Sequence, residues 1–133
     1  DKISNIFFII LGDSQGRHDY EDQLKKLIYS YKMVDKVRLV HPLKSMPLAY
    51  AFVNLVVSAS IEPEAFGRVS IEAQAMKKPI LASAIGGSIE TVLEKKTGWL
   101  FKSNNTEDLA NHIYNISKME KSALNKIGNE GCV

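Results

Sequence analysis

At 133 residues, with 45% hydrophobic and 24% charged residues, the chain has the make-up of one soluble globular domain with a core of its own. Its 17 basic against 15 acidic residues give a formal charge of +2, too weak for a nucleic-acid surface. The longest unbroken apolar run, Ile6 to Leu11, is far too short to span a bilayer.

No signal-peptide pattern precedes that run. The only cysteine, Cys132, stands beside the C-terminus, which leaves no disulfide framework or metal cluster and fits a reducing, cytosolic setting. In chain order, "IFFIILG" ends in Gly12 and Asp13 and predicts a strand buried on both faces. Tyr20, Leu24, Leu27, Ile28 and Tyr31 then recur at helical spacing among charged residues. "VRLV", from Val37 to Val40, predicts a second strand, and "MPLAYAF" a short helix. "NLVVSA" predicts a third strand and leads into "IEPEAFGRVSIEAQAMKKP", whose helix is expected to start near Gly67. "PILAS" predicts a fourth strand, after which Gly86-Gly87 turn into a short helix carrying Ile89, Val92 and Leu93. "GWLF" predicts a fifth strand. Thr106 is the expected N-cap of a helix carrying Leu109, Ile113 and Ile116, with Glu107 and Asp108 favourably placed in its first turn. The chain ends in a weaker helical stretch broken by Gly128 and Gly131. Alternation of this kind means a parallel sheet covered on both faces. The expected fold is doubly wound α/β, Rossmann-like, with about five strands in a single domain over residues 1–133.

One residue of the third helix is out of place. At 100° per residue from Val69, the polar residues Ser70, Gln74, Lys77 and Lys78 fall between roughly 80° and 180°. The apolar residues Val69, Ile71, Ala73, Ala75 and Met76 cover the rest, and Glu72 lands at about 300°, the middle of the apolar arc. In doubly wound sheets ligands bind at the carboxyl ends of the strands, and Glu72 lies one to two turns into its helix at that edge. This directs it into the crevice above the sheet. Glu64 belongs to the loop entering the same crevice. Two carboxylates can accept hydrogen bonds from several hydroxyls at once, which suits a sugar or a ribose. "EAFG" delivers Gly67 to a helix start whose free N–H groups and dipole favour anionic oxygens, and Gly86-Gly87 lead into a second such start. A hydroxyl reader beside an anion site describes a nucleotide sugar. Plainer readings stand beside this one. Glu72 can pair with Arg68 one turn earlier, Glu64 alone can be a solvated carboxylate, and Gly86-Gly87 can be only a tight turn. Gly12, Asp13 and Gly16 lack the dinucleotide-binding spacing, and His18, His41 and His112 lack any ligand spacing, so no metal site is assigned.

The stretch from Ser58 to Phe101 resembles the signature of family four retaining glycosyltransferases, which have the GT-B fold: Glu64, seven residues, Glu72 and Ala73, then Pro79 opening a strand and the Gly86-Gly87 loop. "FIILGD" resembles the strand before the nucleotide-side helix of that family. The resemblance covers nearly the whole chain. It implies that Glu64 contacts donor-sugar hydroxyls and is the catalytic candidate, that Glu72 contacts the ribose, and that the backbone of Phe66 and Gly67 lies close to the sugar. The base would rest near His41 to Leu43. It further implies the C-terminal, donor-binding domain of a hexosyltransferase-type enzyme, retaining and metal-independent, with no cofactor beyond the nucleotide-sugar donor. Arg68 stands where many members are apolar, either substituting for phosphate charge or pairing with Glu72. The family's N-terminal acceptor domain has no counterpart here. Its first C-domain strand, with the Arg and Lys that neutralise the diphosphate, would precede Asp1.

The chain alone is accordingly expected to be inactive. Without that strand, the strands at Ile6 to Leu11 and Asn54 to Ala59 should either close up into one five-stranded sheet or be covered by a second copy in a homodimer. The full enzyme is expected in the cytoplasm, with peripheral association at the inner face of a membrane. The competing classes are a non-catalytic interaction or regulatory module, and a nucleotide-binding enzyme such as a sugar epimerase. The epimerase would need the dinucleotide glycine turn that "GDSQGRHD" lacks.

Overall fold

The computed structural model describes residues 5–12 and 15–131. Asp13 and Cys132, both singled out above, lie outside them. The chain divides into two compact units, one ending at Met46 and the other beginning at Pro47.

In the first unit, β1 (Phe8–Leu11) pairs in parallel with β2 (Val37–Val40), Phe8 opposite Val37 and Leu11 opposite Val40. Helix α1 (His18–Ser30) makes the crossover. Burial of β1 on both faces is not observed: Ile9 is 53% and Ile10 43% exposed, and α1 has no buried residue. Two strands and one helix bury too little apolar surface to enclose a strand from both sides.

The second unit carries the core. After α2 (Met46–Phe52), the parallel sheet runs in the order β3 (Val56–Ser58), β4 (Ile80–Ser83), β5 (Gly98–Phe101). The crossovers contain α3 (Arg68–Ala75) and the single turn α4 (Ser88–Thr91), and α5 (Thr106–Ser117) and α6 (Lys121–Glu130) complete the chain. Every residue of β4 is buried, as expected of a central parallel strand. Its side chains alternate between two clusters. Ile80 and Ala82 join Tyr50, Val56, Ala73 and Val92 on one face. Leu81 joins Trp99, Phe101 and Ile116 on the other, with Leu109, Ile113, Leu124 and Ile127 of α5 and α6 packed against them. This is a Rossmann-like layer arrangement with helices on both faces.

The five strands form a two-stranded ladder in the first unit and a three-stranded ladder in the second. One expectation is corrected here. At α5 the cap is Asn105, not Thr106: its extended backbone lets Oδ1 accept from the Asp108 N–H at 2.9 Å, and Thr106 becomes the first helical residue. No helix among the described residues is long and apolar enough to cross a membrane.

Candidate functional site

The carboxyl ends of β3 and β4 carry two loops, residues 59–67 and 84–87, held together largely by backbone. The Ser83 hydroxyl donates to the Ser60 carbonyl at 2.7 Å, and the Gly87 N–H to the Glu64 carbonyl at 2.8 Å. Gly86-Gly87 are therefore more than a tight turn. Gly86 has φ +58°, and a Cβ there would lie 2.6 Å from the Glu64 carbonyl oxygen. At Gly87 a Cβ would lie 2.8 Å from the Gly67 nitrogen. Only residues without side chains allow this approach.

Gly67 is buried and holds the left-handed conformation, φ 55°, at the N-cap of α3, and no side chain caps that helix. Its first N–H groups are therefore left to water or a ligand. The second helix start is weaker than expected, because α4 is one turn long and the Gly87 N–H is already engaged. Gln74 Nε2 donates to the Thr91 carbonyl at 2.9 Å and Thr91 Oγ1 to the Gly87 carbonyl at 3.0 Å, tying α3 to α4 behind the loops.

Glu64 is half-buried, and its carboxylate has no partner among the described residues. Phe66 beside it is 74% exposed. The inward position of Glu72 is explained by α2: Tyr50 Oη donates to Glu72 Oε2 at 2.8 Å. Arg68 Nη2 reaches the other oxygen at 3.5 Å, the outer limit of such a contact, with its side chain 78% exposed. Tyr50 itself is 6% exposed. Burial first, then the hydrogen bond to Glu72 and that carboxylate's charge, push the Tyr50 hydroxyl up to about 12, with Arg68 acting against them.

The geometry thus brings Glu64, Phe66, Gly67, Arg68, Glu72, Gly86 and Gly87 to one sheet edge of the second unit. The missed residue is Tyr50, the only residue of "MPLAYAF" with a polar side-chain group, which is the signal that points to it. His41 belongs to the first unit, where it lines a cavity of about 90 Å³ with Ile10, Tyr20, Glu21 and Leu24. Chemically, the edge offers two carboxylates as hydroxyl acceptors, an uncapped helix start and one exposed guanidinium.

The family described as "Glycosyl transferases group 1" matches residues 1–131. A D-inositol 3-phosphate glycosyltransferase of Mycobacteroides abscessus is 32% identical over 116 residues, which is 85% of this chain and 26% of that protein. A glycosyltransferase from Rickettsia africae superposes with TM-score 0.89 at 34% identity, over 96% of this chain and 34% of the other. HepE of Anabaena, crystallised with UDP, gives TM-score 0.89 at 28% identity, over 97% of this chain and 35% of its own. The same protein has also been crystallised with UDP-glucose. The chain spans about a quarter of the curated relative it matches and about a third of these solved structures.

Proposed function

The chain belongs to the group 1 glycosyl transferases, with their GT-B-type fold, and on that premise we propose that it supplies the donor-binding half of a retaining glycosyltransferase. The donor is a nucleoside-diphosphate sugar, and UDP is the first nucleotide to try because HepE has been crystallised with UDP and with UDP-glucose. In this reading Glu72 accepts hydrogen bonds from the ribose hydroxyls and Glu64 from the donor sugar. The backbone of Phe66 and Gly67 lies along the sugar, and the uncapped start of α3 faces the diphosphate. Gly86 and Gly87 shape the floor by their close approach to Glu64 and Gly67. Arg68, largely exposed, can swing from Glu72 to a phosphate oxygen.

The reaction moves a hexose to an acceptor hydroxyl with anomeric configuration kept. Its main demand is stabilisation of charge on the departing diphosphate, met by N–H groups and cations rather than by a cofactor or metal. The acceptor is bound by a separate N-terminal domain, so the chain alone turns over no donor. The full enzyme works in the cytoplasm, at the inner face of a membrane, and an isolated copy of this domain can pair with a second copy.

The single observation that carries the reading is the Glu64–Glu72 pair beside an uncapped, glycine-initiated helix at the carboxyl edge of a parallel sheet. NMR titration with UDP, GDP and ADP tests it. Binding by the domain alone is expected on the order of millimolar, since no second domain closes over the ligand. Shifts should centre on Gly67, Glu72 and Gly86. Saturating nucleotide that moves none of these residues would remove the donor-site assignment.

A further inference from the structure

Tyr50 reaches the site from the core, and none of the donor contacts proposed above uses it. Its ring packs in the cluster with Val56, Ala73 and Ile80, while its Oη lies 2.8 Å from Glu72 Oε2. The phenol keeps its proton at neutral pH, so Tyr50 donates and the carboxylate accepts. That bond ties a flexible, 39% exposed side chain to a fixed core residue. Among the described residues only Arg68, at 3.5 Å and mostly in solvent, contends for the other oxygen. A carboxylate has about four acceptor positions. Tyr50 takes one and fixes the plane in which the rest are presented.

We propose that Tyr50 is the positioning residue for Glu72: its 2.8 Å hydrogen bond aims the carboxylate at the vicinal diol of the donor ribose, so that ribose selectivity is set partly from α2. This deepens the proposed donor site and rests on the assignment of Glu72 to the ribose. An unanchored Glu72 would spread over several rotamers or turn to Arg68, and each binding event would then have to order it afresh. The loss should fall on the diol contact and spare the rest of the nucleotide. A residue that only fills space in the core would weaken all nucleotides alike, or none.

The experiment is NMR titration of the wild-type chain, Tyr50→Phe and Glu72→Gln with UDP and 2′-deoxyUDP. The wild type should prefer UDP by roughly tenfold, the worth of one hydrogen bond to a charged acceptor. Glu72→Gln should erase most of that preference. Tyr50→Phe keeps the ring in the core and should cut the preference to roughly threefold or less, with the affinity for UDP falling further than that for 2′-deoxyUDP, which retains only the 3′-hydroxyl of the diol. Tyr50→Phe with the full preference, beside a Glu72→Gln variant that has lost it, overturns the role of Tyr50 and leaves the Glu72 assignment standing. A preference retained by Glu72→Gln, or absent from the wild type, overturns both. Should Tyr50→Phe fail to fold, the tyrosyl hydroxyl proton of the native chain gives a second reading. Its resonance should respond more to UDP than to 2′-deoxyUDP, and an equal response to both would refute the proposal.

Discussion

Gly86 packs against Glu64 backbone to backbone, so closely that an added Cβ would come within 2.6 Å of the Glu64 carbonyl oxygen and 2.8 Å of its nitrogen. Side chains elsewhere can rotate away from a clash, but these neighbours are main chain. The loop that carries one candidate carboxylate is thus shaped by a residue 22 positions later in sequence.

Gly86→Ala should therefore destabilise the chain by about 2–4 kcal/mol, combining a left-handed backbone with a collision that neither loop can relieve. Gly12→Ala, where a Cβ meets nothing within 4 Å, is the control and should cost under about 1 kcal/mol. Urea unfolding of the two variants makes the comparison. Equal losses would mean that the loops separate more readily than their packing indicates.

The bond between Tyr50 and Glu72 predicts non-additive stability. Glu72→Leu leaves the buried Tyr50 hydroxyl without its acceptor, and Tyr50→Phe leaves a half-exposed carboxylate that water can satisfy. The first should cost about 1–2 kcal/mol and the second under about 1 kcal/mol. The double variant should recover part of the sum, a coupling of about 0.5–1.5 kcal/mol in a double-mutant cycle. Strict additivity in denaturant melts would show that the hydrogen bond contributes nothing to stability.

High pH should expose the same pair in another way. The Tyr50 hydroxyl is raised to about 12 in the folded chain, above the ordinary value of 10.0, so the fold retains a proton that the unfolded chain loses. Its contribution is complete below pH 10 and is lost as pH rises from there towards 12, at up to about 1.4 kcal/mol per pH unit. Stability measured by urea unfolding between pH 9 and pH 11 should fall more steeply for wild type than for Tyr50→Phe. Parallel curves would contradict the raised value.

Arg68 gives the opposite expectation for stability. Its contact with Glu72 is long and open to solvent, so Arg68→Ala should change stability by less than about 0.5 kcal/mol, with little dependence on salt. If Arg68 serves the diphosphate, UDP affinity should nonetheless fall by about tenfold while uridine affinity stays the same. An equal fall for both ligands would remove Arg68 from the phosphate role.

The order of strands and helices is legible in the sequence because each short apolar run is bounded by turn residues and followed by a helical period. Val37 to Val40 and Gly98 to Phe101 are read to the residue. The limits lie where tertiary context decides. Burial of β1 depends on what covers Ile9 and Ile10, which alternation cannot reveal. Asn105 and Thr106 are both able to cap, and only the extended backbone at Asn105 selects between them. Glu72 announces itself by standing on an apolar arc. Tyr50 does not, because an aromatic ring in a short apolar helix is what a core would contain anyway. Its hydroxyl matters only once α2 and α3 meet across 22 residues.

The backbone packing of residues 64–67 against Gly86-Gly87 divides labour within the site. Shape is fixed by main chain and by glycines, whereas the outward side chains, Ile61 at 68% and Phe66 at 74% exposure, contribute little to holding the loops. Positions 61, 62, 65 and 66 can therefore be varied together without loss of the fold. The side chains along this edge are interchangeable while its backbone frame is not, so the loop can take new surface chemistry on an unaltered scaffold.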